Sequence, residues 1–426
     1  MIVAYRILTI ILYPLLFLYL YSRKIIKKED RLRYKEKILP SYFNIKEKNG
    51  SVLIWFHAAS IGEFKSIIPI IDQLNIVNIN YKFLITTTTL SSGKLAESEL
   101  ERFKNVEHRY FPFDVEFLID KFIRLWKPDK IFLVDSEIWP NLIFKAKQYK
   151  IPLALINARL TVKSYNRWMR FPKIAKKIFG SFNLCICSNF ETKKFLENLE
   201  LKNVFFIGNI KLINKIDILK LRGVNDKFLE TNRFWLAAST HKDEDIFCFK
   251  THIDLKKKFK DLITIIAPRH ISRAKNIYSL SKELNLSAQV LNNNEAIEAN
   301  KEIIIINYFG LQNLFKYAKS VFIGKSMIKK LENTSGQNPI EAAKLNCKIY
   351  HGPFVYNFKD IYETLEKNNI SKKIVSHKEL SNNLSLDLKN PLKQNNETPN
   401  SIKELELKTM VDTMLIVNNF LKNEIK

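Results

Sequence analysis

From residue 50 onward, short runs of β-branched and aromatic residues alternate with longer amphipathic stretches, and no other feature constrains the fold as tightly. Apolar runs of four to eight residues bounded by polar turns read as buried strands. Strands that alternate with helices build a parallel sheet covered on both faces. The first half predicts strands at 52–58, 82–88, 130–135, 152–157 and 184–188, with helical stretches at 63–75 and 114–126. Near 212–232 (LINKIDILKLRGVNDKFLETN) the alternation falters. A second series then predicts strands at 234–239, 262–268, 302–307, 320–324 and 348–352. Residues 376–402 read as a polar, Asn-rich loop and 402–422 as a helix. The expected fold class is α/β, with two Rossmann-like domains. A chain of 426 residues with 46% apolar content can fill two cores.

Residues 2–22 (IVAYRILTIILYPLLFLYLYS) are mostly apolar and long enough to span a bilayer as a helix. Arg6 lies near one end, where it can snorkel. The basic flank RKIIKKEDRLRYKEK predicts that the rest of the chain stays on the cytoplasmic face. The expectation is a single uncleaved anchor or an obliquely inserted interfacial helix. Residues 1–24 are thus taken as a membrane anchor, 25–215 as the first domain and 216–232 as a linker. Residues 233–426 are taken as the second domain, with the C-terminal helix. The formal net charge of +26 implies a polyanionic neighbour. No RNA-binding signature or zinc module accompanies the lysines, so an anionic bilayer or a phosphorylated substrate is expected, and not nucleic acid. Cys185, Cys187, Cys248 and Cys347 lack the pairing or nearby histidines of a zinc site and read as reduced core residues.

Ligands of doubly wound sheets bind at the carboxyl ends of strands. Two such domains facing across a cleft hold a nucleotide on one and an acceptor on the other. The candidate residues follow predicted strands. In WFHAASIGEF (55–64) a strand ends near His57 and Glu63 opens a helix, either as an ordinary first-turn acid favoured by the helix dipole or as a reactive group. Ala58, Ala59, Ser60 and Gly62 let a ligand approach closely. In VDSEIWPNL (134–142) a strand delivers Asp135 and Glu137, and Trp139-Pro140 starts a helix, with Trp139 expected to pack. Arg159, in INARLTVKSYNRW (156–168), fits either an anionic acceptor or a pair with Glu137. Lys211 follows the strand and Gly208-Asn209 turn of FFIGNIKLI (205–213), and is one lysine among many. In the second half, APRH (267–270), FGLQNLF (309–315), Gly324-Lys325-Ser326 and SGQNPIEAA (335–343) sit at strand ends or helix starts. There Arg269 can hold a phosphate, and Glu341 can accept bonds from ribose hydroxyls.

HAASIGE, the run TTTT (86–89), DSEIWPN, NARL, GNIK, AASTH (237–241), PRH, GQNPIEAA, Gly352-Pro353 and NFKD (357–360) occur here in one order. In that order the chain resembles, over nearly its whole length, the transferases of 3-deoxy-D-manno-octulosonate (Kdo), glycosyltransferase family 30. The resemblance implies a GT-B fold and inverting, metal-independent transfer of Kdo from the donor CMP-Kdo. The implied acceptor is a lipid A precursor (lipid IVA) of lipopolysaccharide biosynthesis, met at the inner membrane. No cofactor beyond the donor substrate is implied. By motif, Glu63 matches the general base, and Glu137 and Lys211 the groups that stabilise the transition state. Pro268 and Arg269 match one CMP-contacting stretch, Gly310, Leu311 and Gln312 a second, and Asn338, Pro339, Ile340 and Glu341 a third. The chain departs from the pattern at three places. Lys325 stands where the family has a second glycine, Gln337 where it has a histidine, and Leu311 where it has a glutamate. A transferase or epimerase using a UDP-sugar is the competing expectation.

Overall fold

The computed structural model describes residues 2–43, 51–216, 223–308, 310–393 and 395–422. Residues 217–222 of the expected linker lie outside this set. The chain divides into two compact units, Met1–Asn214 with Glu406–Lys426, and Lys215–Leu405.

The first unit is built on seven strands: β1 Val52–His57, β2 Tyr81–Thr87, β3 Val106–Tyr110, β4 Lys130–Val134, β5 Leu153–Ala158, β6 Leu184–Cys187 and β7 Val204–Phe206. They pair in parallel in the order β3-β2-β1-β4-β5-β6-β7. From β1 the chain steps outward through β2 and β3, then restarts at β4 on the opposite side. The chain therefore leaves β1 and β4 in opposite directions, which makes their carboxyl ends the topological switch point. Alternation sends Leu53 and Trp55 of β1 to one face and Ile54 and Phe56 to the other. Trp55 packs with Phe122 of the helix Glu116–Trp126. Phe56 shares a core with Phe64, Ile67, Ile70 and Ile71 of the helix Ile61–Val77. A strand buried on both faces must be apolar throughout, hence the unbroken run VLIWF.

The second unit repeats the plan with β8 Phe234–Thr240, β9 Ile263–Pro268, β10 Ala288–Leu291, β11 Ile303–Ile306, β12 Ser320–Ile323, β13 Lys348–His351 and β14 Ser371–Lys373. All pairs are parallel, in the order β10-β11-β9-β8-β12-β13-β14, so the switch point falls between β8 and β12. The α/β class read from the sequence is the class observed, and each expected strand is present. All four cysteines are free and buried.

Three expectations need correction. The C-terminal helix, Asn400–Leu421, was assigned to the second domain. Its residues Met414, Ile416, Val417 and Phe420 are instead in the core of the first unit, beside Phe132 and Val134 of β4. Residues 376–402 are not all loop, because His377–Asp387 is a helix. Ser376 caps it by accepting from the Glu379 amide, and Leu380 and Leu384, one turn apart, bury its inner face. Finally, residues 2–22 do not form one spanning helix. Two helices, Ile2–Ile11 and Tyr13–Ile25, meet at a bend of 53°, and no single helix among the described residues is long and apolar enough to cross a membrane. Pro14 accounts for the break: it lacks the N–H that would bond the Ile10 carbonyl, and its ring collides with that turn. The pair is fastened to the first unit on one side. Tyr5 donates to Asp114 at 3.0 Å, Tyr13 donates to the Ile38 carbonyl at 2.8 Å, and Leu20 is buried with Tyr34 and Ile38.

Candidate active site at the first switch point

The segment after β1 is folded by its own side chains. Ser60 caps the helix Ile61–Val77, its hydroxyl facing the Glu63 amide. The Glu63 carboxylate turns back over this cap, accepting the Ala59 N–H at 2.8 Å and the Ser60 hydroxyl at 2.7 Å. This reciprocal box holds the carboxylate at the carboxyl edge of β1. Burial raises the Glu63 pKa above the ordinary glutamate value, and the neighbouring negative charges of Glu137 and Asp135 push it further up. The two bonds to Ala59 and Ser60 oppose that rise without cancelling it.

The turn after β4 supplies those neighbours. Asp135 has a left-handed backbone, φ +63°, which lets the chain reverse immediately after the strand. Its carboxylate accepts from the Lys211 ammonium at 2.6 Å, and Asn157 donates to it at 3.3 Å. Asn157 also accepts the Ile210 amide at 3.2 Å, so Lys211 and its partner are braced by the same residue. Glu137 Oε2 accepts the Trp139 indole N–H at 2.7 Å. It also lies 3.3 Å from His57 Nε2, a charge-range contact without hydrogen-bond geometry. His57 is fully buried, stacked on Phe111 at 4.0 Å, with Nδ1 2.9 Å from the Thr86 hydroxyl. Asp114 fixes the start of the next helix, Pro140–Gln148, by accepting the Asn141 and Leu142 amides at 2.9 Å each. Burial pushes the Asp114 carboxyl up to about 6.

Glu63, Glu137 and Lys211 therefore converge at one switch point, and Asp135 joins them. Sequence reasoning placed Asp135 at the strand end but gave it no role; its task is to hold Lys211. Trp139 was expected to pack, and it also donates to Glu137. Asp114 was passed over because the interactions that matter, with Tyr5 and with residues 141–142, are remote in sequence.

In the second unit, Pro268 ends β9 and Arg269 follows it, exposed. Gly310, at φ +136°, precedes the helix Leu311–Tyr317, and Asn338 accepts the Ile340 amide at the start of the helix Ile340–Lys344. Gln312 donates to Glu341 at 2.7 Å, which brings two of the three expected donor-contacting stretches together. The 335–338 segment is tied to the loop after β12 by the Gly336 amide, which donates to the Lys325 carbonyl at 2.8 Å. That loop is pinned by Glu244, whose carboxylate accepts the amides of His241, Lys325, Ser326 and Met327 at 2.7–3.0 Å. Glu244 was not singled out from the sequence, where it looks like any first-turn acid.

Two parallel seven-stranded α/β units, with acidic groups and a lysine gathered at the switch point of the first, define a protein of the GT-B fold. The solved structure of a glycosyltransferase from Rickettsia africae ESF-5 shares this fold, with a TM-score of 0.55 and 13% identity over 88% of this chain and 99% of that one. A family model described as 3-deoxy-D-manno-octulosonic-acid transferase (kdotransferase) matches residues 30–214. The 3-deoxy-D-manno-octulosonic acid transferase of Rickettsia bellii is 30% identical over 94% of this chain and 95% of its own length. That of Rickettsia prowazekii is 28% identical over 99% of this chain and all of its own. The chain belongs to the 3-deoxy-D-manno-octulosonic acid transferase family.

Proposed function

We propose that the protein transfers Kdo from CMP-Kdo to a lipid A precursor, with inversion and without a metal. One observation carries this reading within the family: the pinned, half-buried Glu63 carboxylate, flanked by two acids that raise its proton affinity. A sugar hydroxyl has a high pKa, and a base with raised affinity is better matched to taking its proton. Glu63 takes that proton as the acceptor oxygen bonds to the anomeric carbon of Kdo. The bond from that carbon to the CMP phosphate oxygen breaks, and its electron pair leaves with CMP. Glycosyl transfer passes through an oxocarbenium-like state, and the carboxylate of Glu137 stabilises such positive charge. Lys211, oriented by Asp135, offsets the negative charge of the donor. Arg269 and the 338–341 turn receive the nucleotide phosphate.

The reading includes attachment to the inner membrane through the N-terminal helix pair. Val3, Ile7, Leu8, Ile11, Leu15 and Leu18 are exposed on the side not fastened to the first unit. Arg23, Lys24, Lys27 and Lys28 follow at the helix end. An apolar face beside a basic cluster suits insertion along an anionic bilayer surface.

The test is incubation with CMP-Kdo, generated in the assay, and tetraacylated lipid A precursor. Mass spectrometry should show a product heavier by one or more Kdo units. UDP competing for the donor site where CMP does not would overturn the donor assignment.

A further inference from the structure

Beside the Asp135–Lys211 pair, the first unit holds a cavity of about 250 Å³ that the chemistry above does not use. Arg159 enters it from the residue after β5. Ser164, Arg167 and Trp168 enter from the helix Val162–Met169, where spacings of three and four residues place all three on one face. Phe179 and Leu196 complete an apolar floor. Trp168 meets Phe179 edge-on at 5.5 Å, so this floor is firm. Asp135 forms the wall nearest the catalytic groups.

Two guanidinium groups over an aromatic floor recognise a particular kind of molecule. A guanidinium fork matches the oxygens of a phosphate and binds it through charge-assisted hydrogen bonds. Among the described residues, Arg167 has no ion-pair partner. The negative charge of Asp135 is already met by Lys211. The cavity is thus electropositive at Arg167 and apolar beneath it. A bare phosphate would leave the floor unused, and a nucleotide sugar carries no apolar chain to cover it. A phosphorylated sugar bearing an acyl chain satisfies both.

We infer that this cavity is the anchoring subsite for a phosphomonoester of the acylated acceptor, with Arg159 and Arg167 on the phosphate and the chain against Trp168, Phe179 and Leu196. The inference rests on the proposed function, in which Glu63 of the first unit takes the proton of the acceptor hydroxyl. Held there, the acceptor sugar is fixed next to the turn that carries Asp135 and Glu137. Arg159 and Arg167 are positioning residues and take no part in bond making.

The experiment measures equilibrium binding of tetraacylated, bisphosphorylated glucosamine disaccharide to the full chain in detergent, alongside the same lipid stripped of its phosphates. The wild type should bind the phosphorylated lipid about tenfold more tightly, within the range of one or two charge-assisted contacts. The Arg159→Ala/Arg167→Ala variant should lose that preference and bind both lipids alike. Arg167→Lys should regain part of it. Trp168→Ala should weaken both lipids equally. Thermal unfolding verifies that each variant is folded, and Arg167→Ala alone serves if the double variant is not. Equal binding of the two lipids by the wild type would overturn the subsite, as would a phosphate preference that survives loss of the arginines. Binding is read without turnover. A protein that binds as described yet transfers no Kdo would sink the proposed reaction and leave the subsite standing.

Discussion

Glu63 and Glu244 occupy corresponding places in the two units. Each lies in the first turn of the helix that follows the first strand of its sheet, beside the switch point. Glu244 is fully buried and Glu63 partly so, and desolvation raises the pKa of each above the ordinary glutamate value. Their partners differ. Glu244 accepts four backbone amides, two on each oxygen, and three of them come from the loop after β12. Its lone pairs are spent on structure. Glu63 accepts one donor on each oxygen, and its other neighbours are the carboxylates of Asp135 and Glu137. One fold position thus yields a loop pin in one unit and, in the other, the carboxylate proposed above as the base, and the difference lies in what the opposite strand end presents. After β12 it presents three amides; after β4 it presents two acids.

Glu63→Gln should break the comparison most severely. The amide keeps the shape of the side chain but cannot take a proton, so kcat should fall by roughly 10²–10⁴, the usual share of a general base. Stability should change by only about 1 kcal/mol, since one oxygen still accepts a hydrogen bond. Full transferase activity in a folded Glu63→Gln protein would remove it from the mechanism. Glu244→Ala should do the opposite. Four amides lose their acceptor at a buried site, at about 1–3 kcal/mol for each left unsatisfied. With partial rehydration the total loss should be about 3–5 kcal/mol, read from the midpoint of denaturant unfolding. An unchanged midpoint would mean that the pin is dispensable.

Asp135→Asn sharpens the contrast from the other side. It removes one of the two charges that raise the Glu63 pKa and releases Lys211. As a base, Glu63 is active when deprotonated, so activity rises with pH through its raised pKa. Removing a negative neighbour lowers that pKa, and the acid limb of the kcat/KM profile should move to lower pH. With Lys211 unheld, kcat should fall about tenfold, a loss smaller than that of removing an oxyanion-type donor outright. A profile that stays in place would show that Asp135 acts on Lys211 alone.

These cases also show how far the sequence could be read. Central strands such as VLIWFH and IIII are buried on both faces and announce themselves as apolar runs. β3 (VEHRY), β10 (AQVL) and β14 (SKK) lie at sheet edges, carry polar residues, and were not legible. The helix His377–Asp387 was masked by its asparagines, although Leu380 and Leu384 hold its inner face. Glu63, Glu137 and Lys211 drew attention because each follows a strand within a short motif, and the resemblance, not the spacing, gave them roles. Glu244 was not, because three of its donors lie more than 80 residues away. Asp135 was visible as a residue but not as a brace, since Lys211 is 76 positions distant. The bend in the N-terminal segment was signalled by Pro14, yet the apolar length of that segment outweighed it.

The smallest effect belongs to Lys325, where the resemblance leads one to expect a glycine. Lys325 has φ +58°, a left-handed conformation that costs a residue with a side chain about 1–2 kcal/mol. Its amide still donates to Glu244 at 2.7 Å, so the loop keeps the geometry a glycine would give it. Gly324 beside it has no such latitude. A Cβ there would lie 2.7 Å from the Ser239 carbonyl oxygen and from the Thr240 Cα, and the backbone would have to move. Lys325→Gly should relieve the strain but add freedom to the unfolded chain, about 0.5–1 kcal/mol in the opposite direction. The net gain should be under about 1 kcal/mol, with the Glu244 pin intact. Gly324→Ala should instead destabilise the loop by an amount comparable to losing part of that pin. Similar unfolding midpoints for the two variants would mean that the loop is not held by its close approach to the end of β8, and the contrast between the two strand edges would lose its structural basis.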